Sequence, residues 1–311
     1  MRKYVGRISA LVPLVLALAA SDAPKPIDLP GDRLFPESVS ISNGTAYVGS
    51  MSGGVLRVTL ATGKVEAWIK PAAFGSGALF GVLADTRNKL LWTCTNDFRA
   101  RGVTVAGADA GSWLKGFDLK TGEGKISLAL SSASVCNDMA VGKDGIVYVA
   151  DTGHPRVLRW NPGAKELDTW VEDAIFGAGG LDGLAFGGDG NLYINNVRAG
   201  TLFRVAVGAD GKAGKITQLT TSRPLVSPDG MRPMGGLKFA LAEGQAGRIA
   251  VLSVSGDSVE VTTLAEGIAQ PTGVDVKGST IWYVQGQLGA LFNPAAAQPK
   301  LPFQLSPVAA R

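Results

Sequence analysis

Four short apolar segments in different parts of the sequence each carry an oxygen-bearing side chain at the equivalent position. These residues are Glu37, Asn137, Asp182 and Asp229. Three of them are carboxylates, which repel one another in a partly desolvated site unless a cation neutralises them. Oxygen donors without histidine or thiolate suit a hard divalent cation, Ca²⁺ first and Mg²⁺ next, with Mn²⁺ and Zn²⁺ also able to bind. The alternative is that these residues only form turns where strands begin.

The elements that would position these residues form a repeat. An apolar strand containing an aromatic residue recurs about every 45 residues, a period typical of β-propeller blades. The six strands are TAYVGS, LLWTCT, IVYVAD, NLYINN, LKFALA and TIWYVQ. Each follows a short apolar segment, such as ESVSIS or DGLAFG, and precedes a further strand, such as GGVLRVTL or, in the last unit, GALFNP. The first five units add one more strand, such as KVEAWI.

Six units of about four strands predict an all-β fold, a six-bladed β-propeller with four-stranded antiparallel blades, as one domain over residues 27–307. A β-sandwich or a pair of small β-domains would not explain a sixfold repeat that no linker interrupts. The last unit lacks an obvious fourth strand. Either PKPIDL near the N-terminus or PFQLSP near the C-terminus could supply it and close the ring.

The first strand of each propeller blade lines the central channel, so equivalent positions on these strands form a ring around it. Alignment of the six first strands predicts which residues share that ring. They are Glu37, Phe80, Asn137, Asp182, Asp229 and Thr272. The fold would therefore bring the four candidate cation ligands together at one level of the channel.

The sequence resembles the senescence-marker-protein/gluconolactonase-like family, the regucalcin relatives, over almost all of the chain after the N-terminal segment. The resemblance is carried by PES in the first blade, CNDMAVGKDGIVYVADTG in the third, LDGLAFGGDGNLY in the fourth and SPDG in the fifth. It implies a six-bladed propeller that hydrolyses lactones with a divalent metal in its channel. The metal ligands would be Glu37, Asp182, Asp229 and Asn137, with Asn137 also binding substrate and Asp229 serving as general base.

Two positions depart from the family pattern. Asp182 stands where the family usually has asparagine, which adds a negative charge to the predicted site. Val135 stands where sugar-lactone enzymes of the family can carry an arginine. We therefore expect a metal site but draw no sugar-lactone specificity from the resemblance. Arg232, close after Asp229, could approach a substrate carbonyl or form a structural ion pair.

These observations leave two functions open. The first is a lactone or ester hydrolase in which the cation polarises the carbonyl and a carboxylate activates water. The second is a non-catalytic propeller that binds a small ligand or a protein partner and uses the cation for stability. A condensing enzyme of the strictosidine-synthase type shares the architecture but has no specific support in the sequence.

The N-terminus predicts export. Residues 1–20 combine a basic start, an apolar run and small residues near the end, the pattern of a secretory signal peptide. We expect a periplasmic or secreted monomer that leaves the membrane once the signal is cleaved. The net charge of +4 includes Arg2, Lys3 and Arg7 of this segment. The remaining charge is too small for nucleic-acid binding, so a small-molecule substrate is the expected partner.

Two cysteines and one histidine complete the candidate chemistry. In an oxidising compartment Cys94 and Cys136 could form a disulfide, or they could remain as buried thiols. His154 is the only histidine, and its position between two strands predicts an exposed loop residue. Any histidine-dependent catalytic site would have to use it.

Overall fold

The computed structural model describes Met1 and residues 23–310. Six sheets, each with four antiparallel strands, stand around a central channel, and their innermost strands contact one another in a closed ring. This confirms the predicted six-bladed β-propeller. The predicted signal peptide, apart from Met1, lies outside the described residues. Within the part of the chain described, no helix is long and apolar enough to cross a membrane.

The strands are numbered in chain order, and the first, β1 (Ile27–Leu29), belongs to the last blade. Blade 1 contains β2 (Pro36–Ser42), β3 (Thr45–Ser50), β4 (Val55–Thr59) and β5 (Lys64–Ile69). Blade 2 contains β6 (Ala78–Asp85), β7 (Leu90–Asn96), β8 (Ser112–Asp118) and β9 (Gly124–Ala129). Blade 3 contains β10 (Cys136–Val141), β11 (Val147–Asp151), β12 (Arg156–Trp160) and β13 (Asp168–Glu172).

The remaining blades follow the same order from the channel outwards. Blade 4 contains β14 (Leu181–Phe186), β15 (Leu192–Asn196), β16 (Thr201–Val207) and β17 (Ala213–Gln218). Blade 5 contains β19 (Pro228–Gly235), β20 (Lys238–Glu243), β21 (Arg248–Ser255) and β22 (Ser258–Ala265), with β18 (Thr220–Thr221) added at its outer edge. Blade 6 contains β23 (Pro271–Lys277), β24 (Thr280–Gln285), β25 (Phe303–Ala309) and β1. Single 3₁₀ turns occur at Ala73–Gly75, Arg99–Arg101 and Ala174–Phe176.

Both ends of the described chain close blade 6. The C-terminal segment PFQLSP forms the third strand, β25, and β1 pairs with it antiparallel as the fourth strand. The prediction that GALFNP forms a strand is therefore wrong, because its first four residues lie in a short helix, α1 (Leu288–Phe292). The buried side chains of Phe303 and Leu305 on β25 take the core positions that a third strand must fill.

Every inner strand carries a β-bulge at the ring position. In blade 3, for example, Cys136 pairs with Asp151 and Met139 with Val149, so two residues of β10 stand opposite one residue of β11. The pairing shifts at the equivalent point in the other five blades. A bulge releases its residues from the regular ladder and re-aims their side chains. Because all six blades use it, the ring residues share one local backbone arrangement.

The residue after the ring position is glycine in four blades because neighbouring inner strands approach closely there. A Cβ atom on Gly183 would stand 2.3 Å from the carbonyl oxygen of Asp229 in the next blade. A Cβ atom on Gly273 would stand 2.7 Å from the Cα atom of Ser38. Both distances are far below van der Waals contact, so a larger residue would push the blades apart.

A disulfide between Cys94 of β7 and Cys136 of β10 joins blade 2 to blade 3, with 5.0 Å between the two Cα atoms. This settles the alternative between paired and free thiols. Both residues lie in the main core cluster. The bond therefore reinforces an interface that hydrophobic packing already forms.

We predict that replacing both cysteines by alanine lowers the free energy of unfolding by about 3–4 kcal/mol, because the bond closes a long loop in the unfolded chain. The sequence separation of the two cysteines is 42 residues. Urea denaturation of both proteins measures the difference. The wild type with dithiothreitol should approach the variant, and equal stability of variant and oxidised wild type would contradict the prediction.

Candidate functional site

The structure places Glu37, Asn137, Asp182 and Asp229 at the ring position of blades 1, 3, 4 and 5, each at the bulge of an inner strand. Glu37, Asn137 and Asp182 are only 4–5% exposed. Asp229 is half-buried and is therefore the most accessible of the three carboxylates. Phe80 and Thr272, both buried, occupy the ring positions of blades 2 and 6.

Hydrogen bonds link the ring between blades 3 and 4. The side-chain nitrogen Nδ2 of Asn137 donates to Asp182 Oδ2 at 2.9 Å and to Thr152 Oγ1 at 2.8 Å. The hydroxyl of Thr152 donates in turn to the carbonyl oxygen of Leu181 at 2.6 Å. With both amide hydrogens engaged, Asn137 presents its amide oxygen as the atom available to a ligand. Asp182 Oδ1 is buried without a hydrogen-bond partner.

Burial and neighbouring carboxylates raise the pKa of all three ring carboxyl groups. Burial raises the pKa of Glu37 well above its ordinary value, and the charges of Asp229 and Asp182 raise it further. Burial and the charge of Asp138 raise the pKa of Asp182 to about 8. Burial and the charge of Asp182 likewise raise the pKa of Asp229. A cation at the ring would reverse these shifts, because it favours the ionised carboxylates.

A buried ion pair crosses the channel next to the ring. Asp138, the neighbour of Asn137, accepts two hydrogen bonds from the Arg232 guanidinium, at 2.5 and 2.9 Å. Arg232 also donates to the carbonyl oxygen of Val82 at 3.2 Å, so this side chain of blade 5 contacts both blade 2 and blade 3. Both partners are about 5% exposed. Of the two roles expected for Arg232, the geometry therefore matches the structural ion pair. A contact of Arg232 with substrate stays a prediction.

A cavity of about 360 Å³ opens at the other end of the inner strands, away from the ring. It has mainly apolar walls, with Leu83, Met139 and Leu184 among the lining residues, and Arg232 also lines it. Arg232 thus lies between the ring and this cavity. Its Nε atom is buried without a partner.

Sequence reasoning missed two residues of the site. Asn195 of β15 donates from Nδ2 to the Asp229 carbonyl oxygen at 2.7 Å, and its own Oδ1 is buried without a partner. Asp138 is the residue that holds Arg232. Its place next to Asn137, where four blades have glycine, could have marked it as unusual. His154, predicted to be an exposed loop residue, is half-buried, and its Nδ1 lies 3.1 Å from Asp151 Oδ2.

Comparisons with known proteins connect the fold to several activities. No protein-family model and no curated protein matches the chain. A gluconolactonase from Xanthomonas campestris superposes with a TM-score of 0.63 at 16% identity, covering 93% of this chain and 96% of its own. Regucalcin from Agrobacterium tumefaciens, a calcium-binding protein, gives a TM-score of 0.61 at 17% identity, with 92% and 95% covered.

A third solved structure shows how widely the fold is used. Virginiamycin B lyase from Staphylococcus aureus superposes with a TM-score of 0.61 at 14% identity and covers 92% of this chain and 98% of its own. Gluconolactonase, regucalcin and this lyase thus share one architecture. At such identities the likeness establishes the fold, and the function has to be argued from the side chains.

We predict that Asp182→Asn stabilises the cation-free protein at pH 8. The folded state raises the pKa of Asp182 from 3.8 to about 8 and so retains a proton that the unfolded chain releases. The stability that this proton contributes is therefore fully present below the pKa of the unfolded chain, and it falls as the pH rises towards 8. In EDTA at pH 8 the variant should melt at least about 2 °C above the wild type, the shift expected for about 1 kcal/mol.

The difference should shrink at pH 5, where the folded wild type keeps this carboxyl protonated. Asp189→Asn in the hairpin turn of the same blade is the matched control, because Asp189 is exposed. If Asp182→Asn raises the melting temperature equally at pH 5 and pH 8, the result would contradict the electrostatic explanation.

We also predict that Asp138→Ala lowers the free energy of unfolding by about 3–5 kcal/mol, because it leaves the Arg232 charge buried without a partner. The double variant Asp138→Leu with Arg232→Met should recover most of this loss, since both charges are then removed. Glu123→Ala, which breaks an exposed pair with Lys125, should cost about 1 kcal/mol or less. Urea denaturation compares the three variants, and a double variant no better than Asp138→Ala would refute this account.

Proposed function

We propose that this protein is an exported, metal-dependent hydrolase of lactones or related esters. The observation that carries the proposal is the ring of Glu37, Asn137, Asp182 and Asp229, which gathers three carboxylates and an amide in the channel. Burial makes this arrangement costly without a cation. The shared fold of a gluconolactonase and a calcium-binding regucalcin supports this choice among the functions that propellers perform.

The chemistry of the donor set fits a divalent cation. Asp182 Oδ1 and Asn195 Oδ1 are buried acceptors without a hydrogen-bond partner, and a hard cation prefers oxygen atoms of this kind. Among the described residues, no three Asp, Glu, His or Cys side chains form a group that could hold a metal ion by themselves. The amide oxygens of Asn137 and Asn195 would therefore complete the ligand set, with Ca²⁺ as the expected ion. When bound, the cation would polarise the substrate carbonyl.

Asp229 is the residue that we propose as general base. Gly230 N donates to Asp229 Oδ1 at 2.9 Å, which orients the carboxylate. Oδ2 of this half-buried side chain would take a proton from water while the water oxygen attacks the carbonyl carbon. The bond from that carbon to the oxygen of the lactone or ester linkage then breaks, and Asp229 returns its proton to this leaving oxygen. The products are one hydroxyl and one carboxylic acid, so atoms and protons balance.

Export rests on the sequence of residues 1–20 and on the disulfide. Disulfides persist in oxidising compartments such as the periplasm or the extracellular space. The pairing of Cys94 with Cys136 therefore supports the proposed periplasmic or secreted location. We further propose that the protein acts as a monomer on a small-molecule substrate.

We predict that EDTA abolishes lactone hydrolysis, that Ca²⁺ restores it, and that Asp229→Asn lowers kcat at least about 100-fold, the usual contribution of a general base. A pH-indicator assay with glucono-δ-lactone, dihydrocoumarin and δ-dodecalactone measures turnover. Asp189→Asn is the control and should keep full activity.

Hydrolysis that is unaffected by EDTA, or a fully active Asp229→Asn variant, would overturn the mechanism. Stabilisation by Ca²⁺ in a thermal-shift assay without hydrolysis of any substrate would instead identify a non-catalytic binding propeller. The two functions that the sequence leaves open therefore give different results in one set of measurements.

A further inference from the structure

Two long connections flank blade 1 on the ring side of the propeller. The connection between the second and third strands has four residues in blades 1, 3, 4 and 5. In blade 2 it spans 15 residues, 97–111, and in blade 6 it spans 17 residues, 286–302, including α1. Long loops in a compact domain commonly carry function. These two leave from the end of the sheets at which the ring lies, because β7 and β24 end opposite the first residues of β6 and β23.

Aromatic side chains join these loops to the ring. Phe98, from the blade 2 loop, lies 4.9 Å from Phe80 between ring centroids, and Phe80 holds the ring position between Glu37 and Asn137. Phe292, at the end of α1, lies 6.3 Å from Phe98. The three phenyl groups therefore form a continuous aromatic wall from the ring position of blade 2 to the loops of blades 2 and 6.

The wall is open at its outer end. Phe292 is 41% exposed, one of the few large apolar side chains so exposed in the described residues, and Phe98 is half-buried. Val135, next to the blade 3 ring strand, and Leu288 of α1 are half-buried and pack on the core cluster that contains Phe80. Blades 6, 2 and 3 thus each place an apolar side chain on the ring side of the propeller.

We infer that this aromatic wall, Phe80, Phe98 and Phe292, holds the apolar part of the substrate, so that the site favours lactones or esters bearing an aromatic or alkyl group over polyhydroxylated sugar lactones. The inference rests on the proposed function for the reaction, but the wall itself concerns binding. Phenyl and alkyl groups gain by leaving water against such a surface. The hydroxyl groups of a sugar would lose water there without gaining partners.

Substitutions in the wall test this selectivity. Phe292→Ala and Phe98→Ala should each lower kcat/KM for dihydrocoumarin and δ-dodecalactone at least about tenfold, since one or two methylenes in an apolar pocket already change specificity by that factor. The loss of kcat/KM should be smaller for glucono-δ-lactone, which has no aromatic or alkyl group to place on the wall. Phe74→Ala is the matched control, because Phe74 is 45% exposed and packs on Phe117 instead of the wall. Phe292→Ala removes a half-exposed ring and gives a folded protein to compare if Phe98→Ala is unstable.

A binding measurement separates failure of this inference from failure of the proposed reaction. The probe is 2-tetralone, a ketone with the outline of dihydrocoumarin that hydrolysis cannot open. Calorimetry should show that the wild type and Phe74→Ala bind it and that Phe292→Ala binds at least about tenfold more weakly. If Phe292→Ala loses 2-tetralone binding and the wild type hydrolyses no lactone, the result would support the role of the wall in binding and contradict the proposed hydrolase. Equal binding by wild type and Phe292→Ala, or a wild-type preference for glucono-δ-lactone, would overturn the inference even if the hydrolase is correct.

Discussion

The close approach of the six inner strands around the channel is the constraint on which the rest of the structure depends. At the bulge, the backbone of the next blade leaves no room for a side chain at positions such as Gly183 and Gly273. This packing brings the ring positions of all six blades to one level. Ordinary ladders would keep Glu37, Asn137, Asp182 and Asp229 in regular strand pairs, whereas the bulges release them at the ring position. The bulges and the glycines together therefore position the candidate site.

The same close packing makes repulsion between carboxylates the main electrostatic cost in the channel. Three ring carboxylates and Asp138 stand close together, and Arg232 is the cation that enters their group from within the chain. Its guanidinium is committed to Asp138, so it offsets the charge of Glu37 and Asp182 only at a distance. Glu37, Asp182 and Asp229 therefore have no direct ion-pair partner among the described residues, and burial raises the pKa of each. In the proposed function, a cation would favour their ionised forms.

Much of the fold could be predicted from sequence, because each blade repeats the same alternation of apolar strands and turns. The residues of the ring could also be aligned, since Glu37, Asn137, Asp182 and Asp229 precede equivalent apolar segments. The helix at GALFNP could not be predicted, because its six residues are as apolar as a strand and only the competing strand β25 decides the outcome. Asn195 was also out of reach. It stands on the second strand of blade 4, and its hydrogen bond to the Asp229 carbonyl oxygen depends on how closely blade 5 approaches.

The pairing of β1 with β25 has a consequence for how the molecule is assembled. Ile27 pairs with Leu305, so β1 has no partner strand until the chain extends as far as β25. The disulfide partners, in contrast, are 42 residues apart in adjacent blades and can meet while the later blades are still missing. The open ring could therefore hold its second and third blades together before its first strand can pair. A chain cut before β25 would leave both β1 and β24 without this partner strand.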